Sequence, residues 1–494
     1  MGLWPEALRA FLTRHRALIV AGAFFIVTFL VYRLLGAPAT PYNNFVRQAD
    51  AFLHGRVNLA ENLTYLELIL HDGKYYVIPP PWPAIVMLPG VILFGLALNQ
   101  TLVSVVIGAV NASVVSTVVG SVTRRITTQV WLTVLFLFGT VYWYAAANGG
   151  VWFFSHTVAV LFLFAAIYFT IKDRRPFWAG LCLGAAYWSR QPTVLALPFF
   201  VIMFSDLWLP PAAGKSLRER LNIRPLMALG AGLGIFLVLS FIYNYLRFGT
   251  PLDASQHLLP ESVLAQPWFN HGPFDYRYIP RHTAVMLQNM PIIRMEAPYV
   301  LPSWGGMALW ATTPAFFYAL FAGVKDRRVA AAGWLVILVT TGIIISKATA
   351  RVWGDLALEA GAPQWLLRAA QDAEGWHTYQ FQHQLNLLPF YALIAMAIYT
   401  GRHDKFVLAC WAGLLPVALM LFTFAGTGFA QFGYRFGLDF MPFLFLLTVK
   451  GMGDDLKWHH KLMIVASVIV NLWGVVWIYQ FDRHHYLGLS WVGW

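Results

Sequence analysis

The 494-residue chain predicts an all-α polytopic membrane fold of about 13 transmembrane helices, and three observations carry that expectation. Hydrophobic residues make up 59% of it, aromatic residues 16% and charged residues only 11%, more apolar surface than a water-soluble core of ordinary proportions can hide. Apolar stretches approaching the roughly 20 residues that a helix needs to cross about 30 Å of hydrocarbon follow one another almost without a break from 17 to 480. Short basic clusters punctuate these stretches at intervals that fit pairs of crossings. The formal charge of +12 does not point to nucleic acid, because its Lys and Arg residues sit mostly in short loops between apolar runs, as the positive-inside rule requires. No separate soluble domain is visible, so residues 1–494 read as a single integral membrane domain.

The elements follow in order. The opening MGLWPEALRAFLTRHR lacks a small-residue cleavage site before its apolar run, so 17–36 reads as a retained first helix with a cytoplasmic N-terminus. Basic clusters then recur at 124–125, 172–175, 215–224, 325–328, 402–405 and 457–461. If each is cytoplasmic, an even number of crossings separates neighbours. The later intervals each hold two apolar segments: 128–147 and 151–171, 177–190 and 192–208, 226–246 and 305–324, 329–347 and 387–400, 405–424 and 438–450. Residues 462–480 then form the exit. The first interval holds three, 17–36, 81–98 and 99–121. Pro79, Pro80, Pro81, Pro83 and Pro89 break 81–98, which is therefore the one read as an interfacial or re-entrant piece. The outer side then receives 37–98, 247–304 and 348–386. Cys182 and Cys410 lie inside apolar stretches, where a thiol behaves as a small hydrophobe.

Candidate chemistry gathers at the outer ends. In the first loop, Phe45, Ala49, Phe52 and Leu53 recur at helical spacing, the mark of an amphipathic helix seated on the interface, with Arg47, Asp50 and His54 on the neighbouring stripe. Asp50, a carboxylate between an arginine and a histidine, is the candidate general base for a hydroxyl acceptor. An Arg–Asp pair at that spacing is also ordinary helix decoration. Asp72-Gly73 reads as a tight turn, followed by Lys74 and Tyr75, candidates to touch a phosphate or a sugar face.

His156 stands about one turn inside the fourth span, behind Asn148-Gly149-Gly150. Arg190 ends the fifth span, Asn244 and Arg247 close the seventh, and Tyr434, Arg435 and Asp439 open the twelfth. Arg435 and Asp439, four apart, have the spacing of a helical ion pair. A shared polar hollow lined by Asp50, His156, Arg190, Arg247 and Arg435 is the expectation, and three arginines from separate helices suit a phosphate-containing anion. No metal-ligand spacing, phosphate-binding loop or dinucleotide fingerprint stands out, so no metal and no cofactor is expected; adjacent histidines occur only at 459–460 and 484–485. Sequons at Asn62, Asn99 and Asn111 are at chance level.

Several longer patterns carry a resemblance. One N-terminal span, a first loop ending in YYVIPPPWPAIVMLPGVILFG, then RRPFWAGLCLGAAYWSRQP, YNYLRFGTPL and QFGYRFGLDFMPFL, in that order, resemble the GT-C superfamily of membrane glycosyltransferases over nearly the whole chain. The layout is similar to the branch of dolichyl-phosphate-mannose-protein mannosyltransferases and aminoarabinose transferases. That resemblance implies a sugar donor linked to polyprenyl phosphate and an acceptor that is a lipid, glycan or protein. It also implies inversion at the sugar, a first-loop carboxylate as base and arginines holding the donor phosphate. Where many relatives show Asp-Glu shortly after the first span, this chain has Tyr42-Asn43-Asn44; Asn43 and Asn44 thereby become expected donor contacts and Asp50 the expected base.

The leading expectation is thus a lipid-linked-sugar glycosyltransferase of a bacterial inner membrane with its site on the periplasmic side. A transporter or flippase of a lipid-linked solute is the main alternative. Transporters tend to carry charge near the bilayer midplane, whereas Arg33, Arg190, Arg247, Lys347 and Arg435 gather at span ends. A catalytically inactive relative is the third, motivated by Asn43-Asn44.

Overall fold

The computed structural model describes residues 6–207, 216–265, 269–293, 299–303, 305–354, 373–428 and 431–481. It is mostly helical, at 71% helix. The chain begins with α1 (Glu6–Leu35), then α2 (Asn44–Leu53), a hairpin of β1 (Leu68–His71) and β2 (Lys74–Val77), and α3 (Trp82–Phe94). There follow α4 (Gln100–Val122), α5 (Ile126–Phe138), α6 (Tyr142–Asn148), α7 (Val151–Ile171), α8 (Pro176–Tyr187), α9 (Leu197–Phe204), the short α10 (Leu217–Leu221) and α11 (Ile223–Phe248). Long helices later in the chain are Arg327–Gly354, Ala373–Gly401, Lys405–Phe422 and Trp458–Val476.

Among the described residues, 8 helices are long and apolar enough to cross a membrane: Ala17–Leu35, Gln100–Val122, Val151–Ile171, Ile223–Phe248, Arg327–Ser346, Gln384–Gly401, Lys405–Phe422 and Trp458–Gln480. A ninth joins them if α5 and α6, bent by 55° at their junction, count as one span. The sequence reading placed further crossings at 177–190, 192–208, 305–324 and 438–450. There the chain forms shorter pieces: α8, Gln191–Phe204, the pair Leu309–Thr312 and Pro314–Phe321, and Met441–Met452. The 12 residues of α8 reach only about 18 Å at a rise of 1.5 Å each. Prolines at 176, 192, 198, 314 and 442 stand at the starts of these helices, where a missing N–H costs nothing, and so divide the apolar runs into short units.

The bundle has two unlike ends. At one end the basic clusters meet acids and backbone: Arg125 pairs with Asp455, the Arg124 N–H donates to Asp454 at 2.9 Å, and Lys450 pairs with Asp404 at 2.9 Å. The opposite end carries α2, the hairpin and α3. There Ala37 N–H donates to Ala147 O at 3.0 Å, and Asn99 Nδ2 donates to Pro38 O at 2.9 Å. Asp72 (φ 47) and Gly73 (φ 70) do form the tight turn of the hairpin, both in the left-handed region that a two-residue hairpin turn of this hand requires. The amphipathic α2 buries Phe45 and Ala49, with Phe45 5.8 Å from Phe154 of α7. Its apolar side therefore seats on protein, against α3 and α7, where an interfacial position was expected.

Small residues set a close contact between α8 and α11. A Cβ added at Gly180 of α8 would lie 2.0 Å from Leu229 O of α11, and one at Gly232 would lie 2.2 Å from Phe177 O. Backbones come this near only where neither helix carries a side chain, the usual arrangement for helices packing within lipid. Elsewhere α1 and α11 expose Leu18, Leu34, Met227 and Leu246. Apolar residues bared along helices that have no polar face fit a hydrocarbon surround and identify an integral membrane protein.

Candidate functional site

The site is built on a break in the chain. Gly149 (φ 76) sits so close to α4 that a Cβ there would meet Thr101 Cα at 2.4 Å, so a glycine is required on both conformational and steric grounds. Asn148 Oδ1 accepts from Gly150 N–H at 3.0 Å, ending α6 and starting α7. Gln100, at the head of α4, fastens this break to the first loop. Its Nε2 donates to Gly149 O at 2.7 Å and to Tyr42 O at 3.0 Å, and its Oε1 accepts from Val46 N–H at 3.4 Å. The first turns of α7 then present Trp152, Phe153 and His156 in fixed positions.

Asp439 is the hub. Its side chain is wholly buried, and its Oδ1 accepts from His156 Nδ1 at 2.7 Å. Arg190, at the close of α8, grips the same carboxylate by a fork: Nη2 to Oδ2 at 2.9 Å and Nε to Oδ2 at 3.1 Å. Such bidentate, charge-assisted bonds are the strong ones. His156 Nε2 is buried without a partner. Arg190 is 22% exposed, so the accessible end of this trio is the guanidinium, while its carboxylate and imidazole stay sealed behind it.

Arg435 stands beside the trio and does not pair with Asp439. The segment Arg435–Asp439 is a 3₁₀ turn, and at three residues per turn positions four apart point about 120° away from each other, which corrects the helical-pair reading. Its guanidinium lies 4.9 Å from the Phe153 ring and 5.5 Å from that of Phe436, whose ring is also 5.4 Å from Arg190. Among the described residues no acceptor reaches the guanidinium, and its Nε is buried and unpaired. Burial lowers its pKa to about 10, with the neighbouring Arg190 charge pushing the same way. The backbone beneath it is pinned by Gln431, whose Oε1 accepts from Arg435 N–H at 2.8 Å and whose Nε2 donates to Gly305 O at 3.0 Å. Residues Gly305–Met307 and Gln431–Gly433 pair as parallel strands at this point.

Glu67, which the sequence reading passed over, completes the group. It immediately precedes β1, and its Oε2 accepts from Trp152 Nε1 at 3.0 Å. Burial raises its pKa, against the opposing pull of Trp152 and Arg435. The signal for it was a single acidic residue at the head of an apolar strand, one turn before Asp72-Gly73.

The remaining expected residues fall elsewhere. Asp50 faces His54, with Oδ2 to Nδ1 at 3.6 Å, and has no arginine partner among the described residues. Asp50 is 26% exposed, while the buried side of α2 carries Asn44 and Gln48. Asn43 Oδ1 accepts from Arg47 Nε at 3.1 Å, and Arg47 Nη2 donates to Tyr65 OH at 3.0 Å. Asn44 Oδ1 is buried and unpaired. Lys74 is exposed at the hairpin tip, while Tyr75 bridges Leu59 through the backbone.

Arg247 belongs to a second network, in which its two Nη atoms are bonded and its Nε is buried without a partner. It donates to Val77 O at 3.2 Å, Asn244 Oδ1 at 2.9 Å and Asp253 Oδ1 at 3.4 Å, and stacks 4.4 Å from the rings of Tyr243 and Phe248. Gln191 Nε2 donates to Asp253 Oδ2 at 2.5 Å, so the two networks are adjacent in the chain but distinct. Tyr434 OH meets His282 Nδ1 at 2.8 Å. The loop 348–386 is described only at its flanks, and His484-His485 lie outside the described residues. No group of three or more His, Cys, Asp and Glu able to hold a metal ion occurs among the described residues.

No protein-family model, no curated protein and no solved structure matches this chain. What the fold and the site define is a helical integral membrane protein with two arginines, two carboxylates and a histidine assembled at one bundle end.

Proposed function

We propose that the protein is a GT-C-type, inverting glycosyltransferase, which moves a sugar from a polyprenyl-phosphate donor to a lipid, glycan or protein acceptor. The observation that carries this reading is the pair Arg190 and Arg435 around one aromatic ring. One guanidinium is fixed by a buried carboxylate; the other is held between two rings with no counter-ion of its own. A guanidinium placed in this way favours an anion that arrives with the substrate, and phosphate geometry matches its fork. In the transfer step the bond from the sugar to the phosphate oxygen breaks and the phosphate gains negative charge. Positive groups fixed beforehand stabilise that change more than they stabilise the bound donor.

The topology supports the same reading. Among the described residues, eight helices are long enough to cross, or nine with α5 and α6 as one span. The proposed topology of 13 passes needs α8, α9, 309–321 and 441–452, each shorter than a full span, to traverse the bundle as well. The basic end is then cytoplasmic and the site periplasmic, in a bacterial inner membrane. The test is to reconstitute the full chain in liposomes with a panel of polyprenyl-phosphate sugars and to measure release of polyprenyl phosphate. Release with at least one donor is expected. Transport of the intact donor without cleavage favours a flippase, and neither event favours an inactive relative.

A further inference from the structure

We infer that His282 is a positioning residue for the anion site: it holds Tyr434 and Phe436, the two neighbours of Arg435, so that the guanidinium between them stays open to substrate phosphate. The inference rests on the phosphate-binding part of the glycosyltransferase reading and deepens it. Arg435 cannot orient itself. Among the described residues its guanidinium meets no acceptor, only the rings of Phe153 at 4.9 Å and Phe436 at 5.5 Å, so its direction depends on what holds those rings and the backbone beneath. A binding group kept free for a ligand needs support from the residues around it.

His282 supplies that support from the helix Ile279–Gln288, 152 positions before Tyr434. Its imidazole is wholly buried and uses both nitrogens. Phe424 O lies 2.7 Å from Nε2, and a carbonyl only accepts, so Nε2 carries the proton. Nδ1 is then a bare acceptor, and the Tyr434 hydroxyl donates to it at 2.8 Å. The flat face of the same ring stacks on Phe436, with 6.3 Å between centroids and 21° between planes. One side chain thus bonds the residue before Arg435 and covers the ring of the residue after it. Rotation of the turn at 435 would break the first contact or open the second.

The support is itself anchored. Arg281 donates to Ala425 O, the Asp275 N–H donates to Thr423 O at 2.7 Å, and the Ala425 N–H donates to Pro273 O at 2.9 Å. From the long helix Ala373–Gly401, Gln384 Nε2 donates to Pro280 O at 3.1 Å. Tyr434 is wholly buried, and its N–H donates to Met307 O at 3.2 Å, so this tyrosine is held at its backbone and at its hydroxyl. Its hydroxyl serves His282, which places Tyr434 in the same support.

The test uses the full chain, gel-filtered as folded monomer and reconstituted in liposomes. Equilibrium binding of polyprenyl phosphate is the main readout, and its release from polyprenyl-phosphate sugars is the second. H282Q keeps a donor for Phe424 O but loses the acceptor for Tyr434, and Y434F loses the hydroxyl alone. Each should weaken binding about fivefold, the size expected for one net hydrogen bond, and the double variant should be no weaker than H282Q. H282N, whose Oδ1 stands where Nδ1 stood, should bind more tightly than H282Q. With Arg435→Met the guanidinium is gone, so adding H282Q should change the residual affinity by less than about twofold. A merely structural histidine would lower affinity in both backgrounds alike. An effect of H282Q within about twofold of wild type, or an equal loss with and without Arg435, overturns the inference. Coupling of His282 to Arg435 in a protein that releases polyprenyl phosphate from no donor sinks the transfer reaction alone. Absence of polyprenyl phosphate binding by wild type overturns both.

Discussion

Asp439→Asn tests the architecture of the site independently of any substrate. The substitution keeps the shape of the side chain but removes the charge that Arg190 grips through two nitrogens and that His156 addresses at 2.7 Å. Hydrogen bonds to charged groups contribute about 1.5–3 kcal/mol each, and breaking one partner of a buried pair costs about 3–5 kcal/mol. Arg190 retains 22% exposure, so water can reach part of the abandoned guanidinium, and Asn Oδ1 can still accept one bond. The lower end of the range applies, about 3 kcal/mol, or about two orders of magnitude in the folding equilibrium. Reversible unfolding in mixed micelles of mild detergent and SDS measures it, with R190M completing a double-mutant cycle. A loss below about 1 kcal/mol, or independent effects of the two substitutions, would refute the claim that this carboxylate organises the site.

Arg435→Lys replaces a planar guanidinium between two rings with a compact ammonium; affinity for polyprenyl phosphate should fall about tenfold or more, read by a binding titration. His282 on the helix Ile279–Gln288 donates from Nε2 to Phe424 O and accepts at Nδ1 from Tyr434 OH, and burial lowers its pKa to about 3. Its lowered folded value means that the unfolded chain binds the proton first. Stability is therefore present in full above about pH 6.5 and is lost as pH falls toward about 3, at up to about 1.4 kcal/mol per pH unit. Unfolding measured across that window should be steeper in wild type than in H282Q. Gly232→Leu should prevent a folded monomer on gel filtration, because its side chain would occupy the space of Phe177 O at 2.2 Å.

Much of the frame was legible because single residue types dictate it. Asn148-Gly149-Gly150 announces a helix break, Asp72-Gly73 a tight turn, and the basic clusters a common end, where Arg124 and Arg125 meet Asp454 and Asp455. His156 and Arg190 meet on Asp439, and Arg435 shares the Phe436 ring with Arg190, although all come from segments distant in sequence. What escaped the sequence is partner choice. Asp439 meets Arg190 and His156 rather than Arg435, because a 3₁₀ turn changes which spacing aligns, and propensity does not separate such a turn from a first turn of α-helix. Arg247 met Asp253 across a six-residue bend instead of joining the other arginines. Glu67 was hidden because a strand only four residues long has too few positions for alternation to stand out.

The partnership of Arg190 with Asp439 spans 249 positions along the chain. During synthesis at about 5–20 residues per second, the arginine therefore waits roughly 10–50 s for its counter-ion. Throughout that interval the nascent protein holds an uncompensated cation at the rim of the bilayer, to be shielded by headgroups or by the insertion machinery. A chain that stops short of residue 439 never acquires that counter-ion and keeps the exposed charge permanently.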